Sequence, residues 1–209
     1  MGKRSDFERV ERDYYQTPYA AVLPLVPFLP ERRFTFAEPC AGDGRLANHF
    51  YVATNGASQC RFECDIDPQA KGMLQKNALF VNEHDVAGCD LIITNPPWDR
   101  SKKSGYLLHK MITHFSNLKP TWLLFDADWQ HTAQAVPYLD RLVASVAIGR
   151  VKWIEDSKMT GKDNVSWNLF HTHARQITSA PVFFGRNVLP YAGFVDSYMD
   201  AYADLAEAA

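Results

Sequence analysis

The sequence predicts an α/β fold, in which a doubly wound, mostly parallel sheet of seven strands carries helices on both faces and an antiparallel hairpin at one edge. Two observations support this prediction. Helical and extended hydrophobic patterns alternate along most of the chain, as they do where crossover helices join parallel strands. The last two extended segments are instead joined by a polar loop at 155–164, which predicts an antiparallel pair.

The predicted strands are short runs of apolar and β-branched residues bounded by turn-forming residues. They cover residues 33–39, 61–67, 77–85, 90–95, 118–128, 146–154 and 165–173. The predicted helices follow an apolar period of 3.6 residues and cover 17–29, 44–54, 68–77, 135–145 and 195–209. The first helix is expected to open after Thr17, with Pro18 in its first turn, where proline is tolerated.

We expect one domain over residues 1–209, because 209 residues with 46% apolar content suffice for one full core. Residues 1–13 read as a charged N-terminal segment, and residues 190–209 as an acidic, alanine-rich helical extension. The longest apolar run, at 20–29, contains two prolines and is too short for a membrane span. These features predict a soluble, intracellular protein.

Composition limits the partners only weakly. The net charge of −2 neither favours nor excludes a polyanion, so a nucleic acid would have to bind a local patch. The four cysteines, at positions 40, 60, 64 and 89, form no CxxC pair, and each lies in or beside an apolar run. That pattern predicts packed thiols and no metal site.

The clearest motif is the turn EPCAGDGRLA at 38–47, where Gly42 and Gly44 follow a predicted strand and open a predicted helix. Asp65 and Asp67 follow about twenty residues later, at the spacing of the Rossmann dinucleotide fingerprint. The glycines permit a tight turn and close approach of a ligand, and an acid ending the second strand can bind ribose hydroxyls. A glycine-rich turn without a ligand would leave the same residues.

Charge favours one cofactor over another at this turn. Glu38 ends the first predicted strand and Asp43 lies inside the turn, and two carboxylates repel a pyrophosphate. They suit S-adenosylmethionine, which has positive ammonium and sulfonium groups, a ribose and no phosphate. The missing GK[ST] sequence also removes the P-loop interpretation.

The segment LIITNPPW at 91–98 is an apolar strand that ends in a turn with few backbone donors. In open parallel sheets the carboxyl ends of strands border the ligand crevice, so this turn and the glycine turn should share one edge. Pro96 and Pro97 lack an N–H and fix the carbonyls, and Asn95 adds a side-chain carbonyl. Such acceptors suit an exocyclic amino group, whose lone pair they free for attack on a sulfonium methyl group. Trp98 offers a flat face on which a base can stack.

Together these motifs resemble the amino-methylating branch of the S-adenosylmethionine-dependent methyltransferases, most closely the N6-adenine DNA methyltransferases. The resemblance is carried by YYQTP, EPCAGDG, DIDP, HDVAG and NPPW, which occur in this order over residues 14–98. It implies the Rossmann-like fold, and it implies that Asn95, Pro96, Pro97 and Trp98 form the catalytic turn that receives the target base.

The resemblance also implies a set of residues that bind S-adenosylmethionine. The glycine turn would hold the methionine part, the end of the second strand the ribose, and the acid of HDVAG would lie near the cofactor adenine. The helix before the first strand, with Tyr15 and Thr17 in its lead-in, would cover the cofactor. The complete set is Tyr15, Thr17, Glu38, Cys40, Ala41, Gly42, Gly44, Asp65, Ile66, Asp85 and Asn95.

Two departures from the family's pattern bear on the substrate. Sequence-specific members usually carry a separate target-recognition domain, for which this chain has little room, so we expect low or short sequence specificity, or a partner. The short inserts at 99–105 and 155–164 contain Lys102, Lys103, Lys158 and Lys162. These lysines either contact phosphates or belong to ordinary solvated loops. The second departure, Trp98 in place of the commoner Tyr or Phe, keeps the stacking face.

Other polar residues near the predicted strand ends allow two interpretations each. His171 and His173 lie two apart in the last predicted strand and share a face, but a metal pair lacks a third ligand, which favours packed or solvated histidines. Asp126, Asp128 and Trp129 either shape a base pocket or form a helix cap followed by a core indole.

The sequence thus favours methylation of the adenine N6 amino group in DNA, with the base flipped out of its stack. The same chemistry on RNA adenine, on cytosine N4 or on a protein glutamine amide remains open. A cofactor-binding module without activity is the non-enzymatic alternative, against which the intact acceptor turn argues. The resemblance further implies the cytoplasm of a bacterial or phage-infected cell.

Overall fold

The computed structural model of the chain describes residues 14–103, 105–154 and 160–206. It contains one sheet with the strand order β3-β2-β1-β4-β5-β7-β6-β8. The strands are β1 (Phe34–Glu38), β2 (Ser58–Asp65), β3 (Leu74–Gln75), β4 (Leu91–Thr94), β5 (Thr121–Asp126), β6 (Leu142–Arg150), β7 (Asn164–Phe170) and β8 (Val182–Phe184). Only β7 runs antiparallel to its neighbours, which confirms the mostly parallel sheet.

The antiparallel pair β6–β7 is confirmed, but it does not lie at the edge of the sheet. β7 inserts between β5 and β6, and β8 pairs parallel with β6 on its outer side, which makes eight strands instead of seven. β8 has only three residues between Pro181 and Gly185, so its hydrophobic pattern is too short to predict a strand.

Helices cover both faces of the sheet. They are α1 (Tyr19–Val22), α2 (Arg45–Ala53), α3 (Leu107–Leu118), α4 (Ala174–Ile177) and α5 (Phe194–Ala206), with 3₁₀ turns at Leu23–Phe28, Ala78–Phe80, Ala127–His131 and Val136–Arg141. Strand residues alternate between two cores: Trp122 and Leu124 of β5 pack in the core that includes α2 and α5, and Leu123 and Phe125 in the core that includes α3. Among the described residues, no helix is long and apolar enough to cross a membrane.

The segment after β2 differs from the prediction. Residues 68–77 do not form a helix, because the chain turns back at Gly72 with a φ of 86° and the N–H of Lys76 donates to the Asp65 carbonyl at 2.9 Å. This bond brings the two residues of β3 beside the end of β2. Residues 77–85 are not a strand either, since the side chains of Asn77 and Asn82 accept backbone N–H groups two residues ahead and form turns.

A further predicted helix is mostly wrong, and another is helical but not α-helical over its whole length. In 135–145 only Val136–Arg141 is helical, as a 3₁₀ turn, and Leu142 already begins β6, a strand of nine residues that pairs with β7. In 17–29 the α-helix stops at Val22 and continues as a 3₁₀ turn, because Pro24 and Pro27 lack the N–H that an α-helix needs. Helix α3 has no counterpart among the predicted elements. The charged segment 1–13 lies outside the described residues.

Candidate active site

The two turns that the sequence singles out lie side by side. β1 and β4 are parallel neighbours, with Ala37 opposite Ile92, so the chain leaves both strands at the same edge of the sheet. β1 leads into the glycine turn (residues 39–44), and β4 leads into the proline turn (Asn95–Trp98). The predicted juxtaposition of these turns is therefore present in the structure.

Asp65, at the end of β2, holds the glycine turn in place. Its Oδ2 accepts the backbone N–H of Gly42 at 2.8 Å, and its Oδ1 accepts that of Asp67 at 2.8 Å. Gly42 and Gly44 have φ angles of 58° and 78°, in the left-handed region that favours glycine. Each carboxylate oxygen keeps a second lone pair, so Asp65 can still accept a ribose hydroxyl. The neighbouring Ile66 side chain is exposed.

The segment before α1 packs over the glycine turn. A Cβ added to Gly42 would come within 2.7 Å of Cε2 of Tyr14, so only glycine fits below this ring. Gln16 donates to Oδ2 of Asp43 at 2.7 Å and to the Tyr14 hydroxyl at 3.3 Å. The resemblance implies that the first helix, with Tyr15 and Thr17 in its lead-in, covers the cofactor, but Tyr14 and Gln16 are not among the predicted site residues. Their only signal was their place beside those two residues.

Asn95 connects the same segment to the proline turn. Its Nδ2 donates to the Tyr15 carbonyl at 3.2 Å and to the Thr17 hydroxyl oxygen at 3.1 Å. Its Oδ1 accepts from Nε1 of Trp98 at 3.2 Å, and that indole also donates to the Leu124 carbonyl at 3.0 Å. Both amide hydrogens therefore have acceptors, which orients Oδ1 and leaves it one further lone pair.

Trp153 adds a second indole to the proline turn. Its ring centroid lies 5.5 Å from that of Trp98, edge to face, and 6.4 Å from that of Tyr15. The loop that carries it is closed by the N–H of Gly161, which donates to the Val151 carbonyl at 2.8 Å. Trp153 falls inside the strand predicted over 146–154, whereas β6 ends at Arg150. No local pattern in the sequence marks it as a site residue.

Acidic side chains cluster around the glycine turn. Burial, with Glu63, Asp43 and Asp65 nearby, raises the pKa of Glu38 well above its usual range, and the Ala47 N–H only partly offsets this. Burial and Asp65 likewise raise the pKa of Cys40. Ala41 donates its backbone N–H to the Cys64 carbonyl at 3.0 Å. A cation is the ligand that such surroundings favour.

Asp85 lies between the 3₁₀ turn Ala78–Phe80 and β4. It pairs with Lys76 at 2.5 Å and accepts the N–H of Asn82 at 2.8 Å. Burial opposes its charge, but these two donors outweigh burial and lower its pKa. The backbone N–H of Lys76 donates to the Asp65 carbonyl, so the two acids expected to bind the nucleoside are joined through one residue.

Several basic residues lie near the proline turn. Lys102 and Lys103 are exposed just after it, and Lys162 is half-buried in the segment that leads into β7. Arg150 and Lys152 are exposed at the end of β6, which runs parallel to β5 and so ends at the same edge. Lys158 lies outside the described residues.

The remaining candidates are structural. Asp126 accepts the N–H of Asp128 at 2.9 Å and pairs with Arg100 at 2.9 Å, while Trp129 is buried and donates to His109, so the helix-cap interpretation of this segment is correct. His171 and His173 lie beyond the end of β7, not within the strand.

A comparison with protein-family models finds no match, and neither does a comparison with curated proteins. Solved structures do match. A structure of the type I restriction-modification system, solved to explain its assembly and conformational transition, superposes with a TM-score of 0.55 over 97% of this chain and 53% of that chain, at 11% identity. A candidate class I S-adenosylmethionine-dependent methyltransferase from Listeria monocytogenes gives 0.54 over 88% of this chain and 72% of its own, at 10% identity.

A modification subunit of a candidate type I restriction enzyme from Vibrio vulnificus YJ016 is also similar. It gives a TM-score of 0.50 over 91% of this chain, at 10% identity. The chain spans about half the length of this subunit and of the restriction-modification chain, 53% in each case. At these identities the likeness is one of fold, and the fold is the Rossmann-like fold of methyltransferases.

Proposed function

We propose that this protein is an S-adenosylmethionine-dependent methyltransferase that methylates the N6 amino group of adenine in DNA, with low or short sequence specificity. One observation carries the proposal. The segment from Tyr14 to Thr17 packs over the glycine turn and also accepts the Asn95 amide, so one short stretch of chain joins the expected cofactor turn to the expected catalytic turn.

The glycine turn suits S-adenosylmethionine, which supplies an activated methyl group on a positively charged sulfur. The acidic side chains of Glu38, Asp43 and Asp65 favour this cation, and Gly42 adds no side chain of its own to the turn. Asp65 and Asp85 are linked through Lys76, and they can bind the ribose and the adenine of the cofactor. The similar fold of the Listeria monocytogenes protein supports this choice of cofactor.

The proline turn suits an amino group. The free lone pair of Asn95 Oδ1 and the Pro96 carbonyl can accept its two N–H bonds, which localises the lone pair on nitrogen. That lone pair forms the new N–C bond, the electrons of the broken C–S bond remain on sulfur, and one proton leaves the nitrogen for water. Pro97 stiffens the turn, and Trp98 with Trp153 supplies aromatic surface for a flipped base.

The charges near the proline turn favour a nucleic acid over a protein substrate. Lys102, Lys103, Lys162, Arg150 and Lys152 lie near the edge where both turns end, and each can contact a phosphate without reading sequence. Two of the similar structures come from type I restriction-modification systems, which supports DNA as the polyanion.

The test incubates the protein with methyl-labelled S-adenosylmethionine and separate pools of DNA, RNA and protein, then digests the labelled pool for mass analysis. We expect label in DNA, recovered as N6-methyldeoxyadenosine. If the label is found in RNA, on cytosine N4 or on a glutamine amide, the labelled group replaces adenine N6 in DNA as the substrate. Cofactor binding without transfer to any pool would show that the protein is a binding module and overturn the proposal.

A further inference from the structure

Three side chains with metal-binding atoms meet between the sheet and helix α2. Glu38 ends β1, and Cys60 and Glu63 lie on β2, with Glu63 directly opposite Glu38 in the parallel register. One ligand atom from each of the three lies within 4.8 Å of the other two. The cluster therefore joins two neighbouring strands just before the glycine turn.

An irregularity in β2 makes this meeting possible. Cys60 and Glu63 are three residues apart, and in a regular strand they would face opposite sides of the sheet. The register shifts between Phe36 and Ala37, which pair with Cys60 and Phe62, so β2 holds one extra residue at this point. Such a bulge returns both side chains to one face. The spacing of Cys60 and Glu63 in the sequence does not reveal this bulge, so it does not predict that the two side chains face the same side.

The carboxylate of Glu38 has a buried oxygen that is available to bind a cation. The residue is 1% exposed, and its Oε2 has no hydrogen-bond partner among the residues that the structure describes. The Ala47 N–H donates to the same carboxylate, which leaves Oε2 as the oxygen without a partner. A buried carboxylate oxygen without a partner is costly, and a second carboxylate beside it adds repulsion.

We propose that Glu38, Cys60 and Glu63 bind one divalent cation of the zinc type. The donor set, one thiol sulfur and two carboxylates, suits zinc and is unsuitable for the oxygen-seeking ions magnesium and calcium. Ligand atoms of four-coordinate zinc lie about 3.3–3.8 Å apart, given bonds of about 2.0–2.3 Å. A side-chain adjustment of about an ångström closes the observed cluster to that size, and half-buried Glu63 can make it.

Burial and the neighbouring acids raise the pKa of the Cys60 thiol, and burial raises that of Glu63. A dication reverses this preference, since it stabilises the thiolate and both carboxylates. The bound ion would link β1 to β2 beside the glycine turn and would stabilise the fold there.

The test titrates Cd²⁺ into the full-length, metal-free protein and records the ultraviolet charge-transfer band of a cadmium–thiolate bond. We expect one Cd²⁺ per chain, displaced by excess Zn²⁺, and a rise in the thermal midpoint on adding Zn²⁺. Cys60→Ser should abolish the band. Glu63→Gln, which keeps the Cys60 thiol, should weaken Cd²⁺ binding at least about tenfold. Loss of a direct metal ligand should lower the affinity at least as much as loss of a group that only hydrogen-bonds to a ligand.

Cys89→Ser is the matched control, because Cys89 is buried in the core on the other face of the sheet. This variant should keep the band and the affinity, and circular dichroism checks that all three variants fold. The proposal is overturned if the wild type shows no band, if Cys60→Ser keeps it, or if Glu63→Gln binds as tightly as the wild type.

Discussion

At the scale of single residues, the amide nitrogen and the amide oxygen of Asn95 form hydrogen bonds with different parts of the site. Its amide nitrogen anchors the Tyr15–Thr17 segment, and its oxygen, oriented by that anchoring, faces the Trp98 indole and keeps a free lone pair. Asp65 differs, because its Oδ2 supports the glycine turn through the Gly42 N–H, while its Oδ1 accepts the N–H of Asp67. Replacement of Asn95 should therefore impair methyl transfer, whereas replacement of Asp65 should impair cofactor binding.

We predict that Asn95→Ala lowers the rate of methyl transfer at least about a hundredfold, the usual loss when a preorganised polar contact to the reacting group is removed. Its affinity for S-adenosylmethionine should stay within a few-fold of the wild type. Asp65→Ala should instead weaken cofactor binding about tenfold or more, because the Gly42 N–H loses its acceptor. Calorimetric cofactor titration and single-turnover transfer, measured on both variants, separate the two. Equal loss of cofactor binding would contradict this division of roles.

At the scale of elements, a positive φ angle and the Tyr14 ring both constrain the residue at position 42. Alanine variants of Gly42 and Gly72 can separate these two effects. Gly42 and Gly72 both have positive φ angles, of 58° and 86°, but an added Cβ meets the Tyr14 ring at Gly42 and nothing within 4 Å at Gly72. Both positions carry backbone strain with alanine. Only Gly42 carries a clash as well.

We predict that Gly72→Ala lowers the free energy of unfolding by about 1–2 kcal/mol, the cost of a left-handed non-glycine residue. Gly42→Ala should cost measurably more, and Tyr14→Ala in that background should remove the excess. Urea denaturation of the three variants and of Tyr14→Ala completes the cycle. If Gly42→Ala costs no more than Gly72→Ala, the ring does not press on the turn.

The same scale shows what the sequence could predict. Strands β1, β4 and β5 and the turns after β1 and β4 were predictable, since their signals are local: apolar runs closed by Gly, Pro, Asn or Asp. The helix at 68–77 and the strand at 77–85 were wrong, because the Asp65 carbonyl, Gly72 and the Asn side chains direct the backbone there. Trp153 and Tyr14 reach the site only through packing between distant segments, which no local pattern records.

At the scale of the whole molecule, stability should depend on pH through His171. This side chain is buried, and its Nδ1 accepts the His173 N–H at 2.9 Å. Burial, with His173 nearby, lowers its pKa to about 4. In the unfolded chain this histidine has a pKa near the usual value of about 6.5. The stability that neutral His171 contributes is therefore complete above that pH and is lost as the pH falls towards 4.

We predict that this histidine alone removes about 2 kcal/mol from the free energy of unfolding between about pH 7.5 and about pH 5. His171→Gln should flatten that part of the profile. His131→Gln, at an exposed histidine, is the control and should keep the wild-type slope. Urea denaturation across this range measures all three, and a parallel profile for His171→Gln would exclude His171 as the cause.

The fold, the glycine turn and the proline turn together give the whole molecule one expected activity, transfer of a methyl group to an exocyclic amino group. The most direct measurement compares two pools of DNA duplexes, one normal and one in which purine, which lacks the amino group, replaces every adenine. With labelled S-adenosylmethionine, we predict N6-methyldeoxyadenosine from the normal pool, no label in the purine pool, and no label in either pool with Asn95→Ala. Equal labelling of both pools by the wild type, or full labelling by Asn95→Ala, would contradict the account.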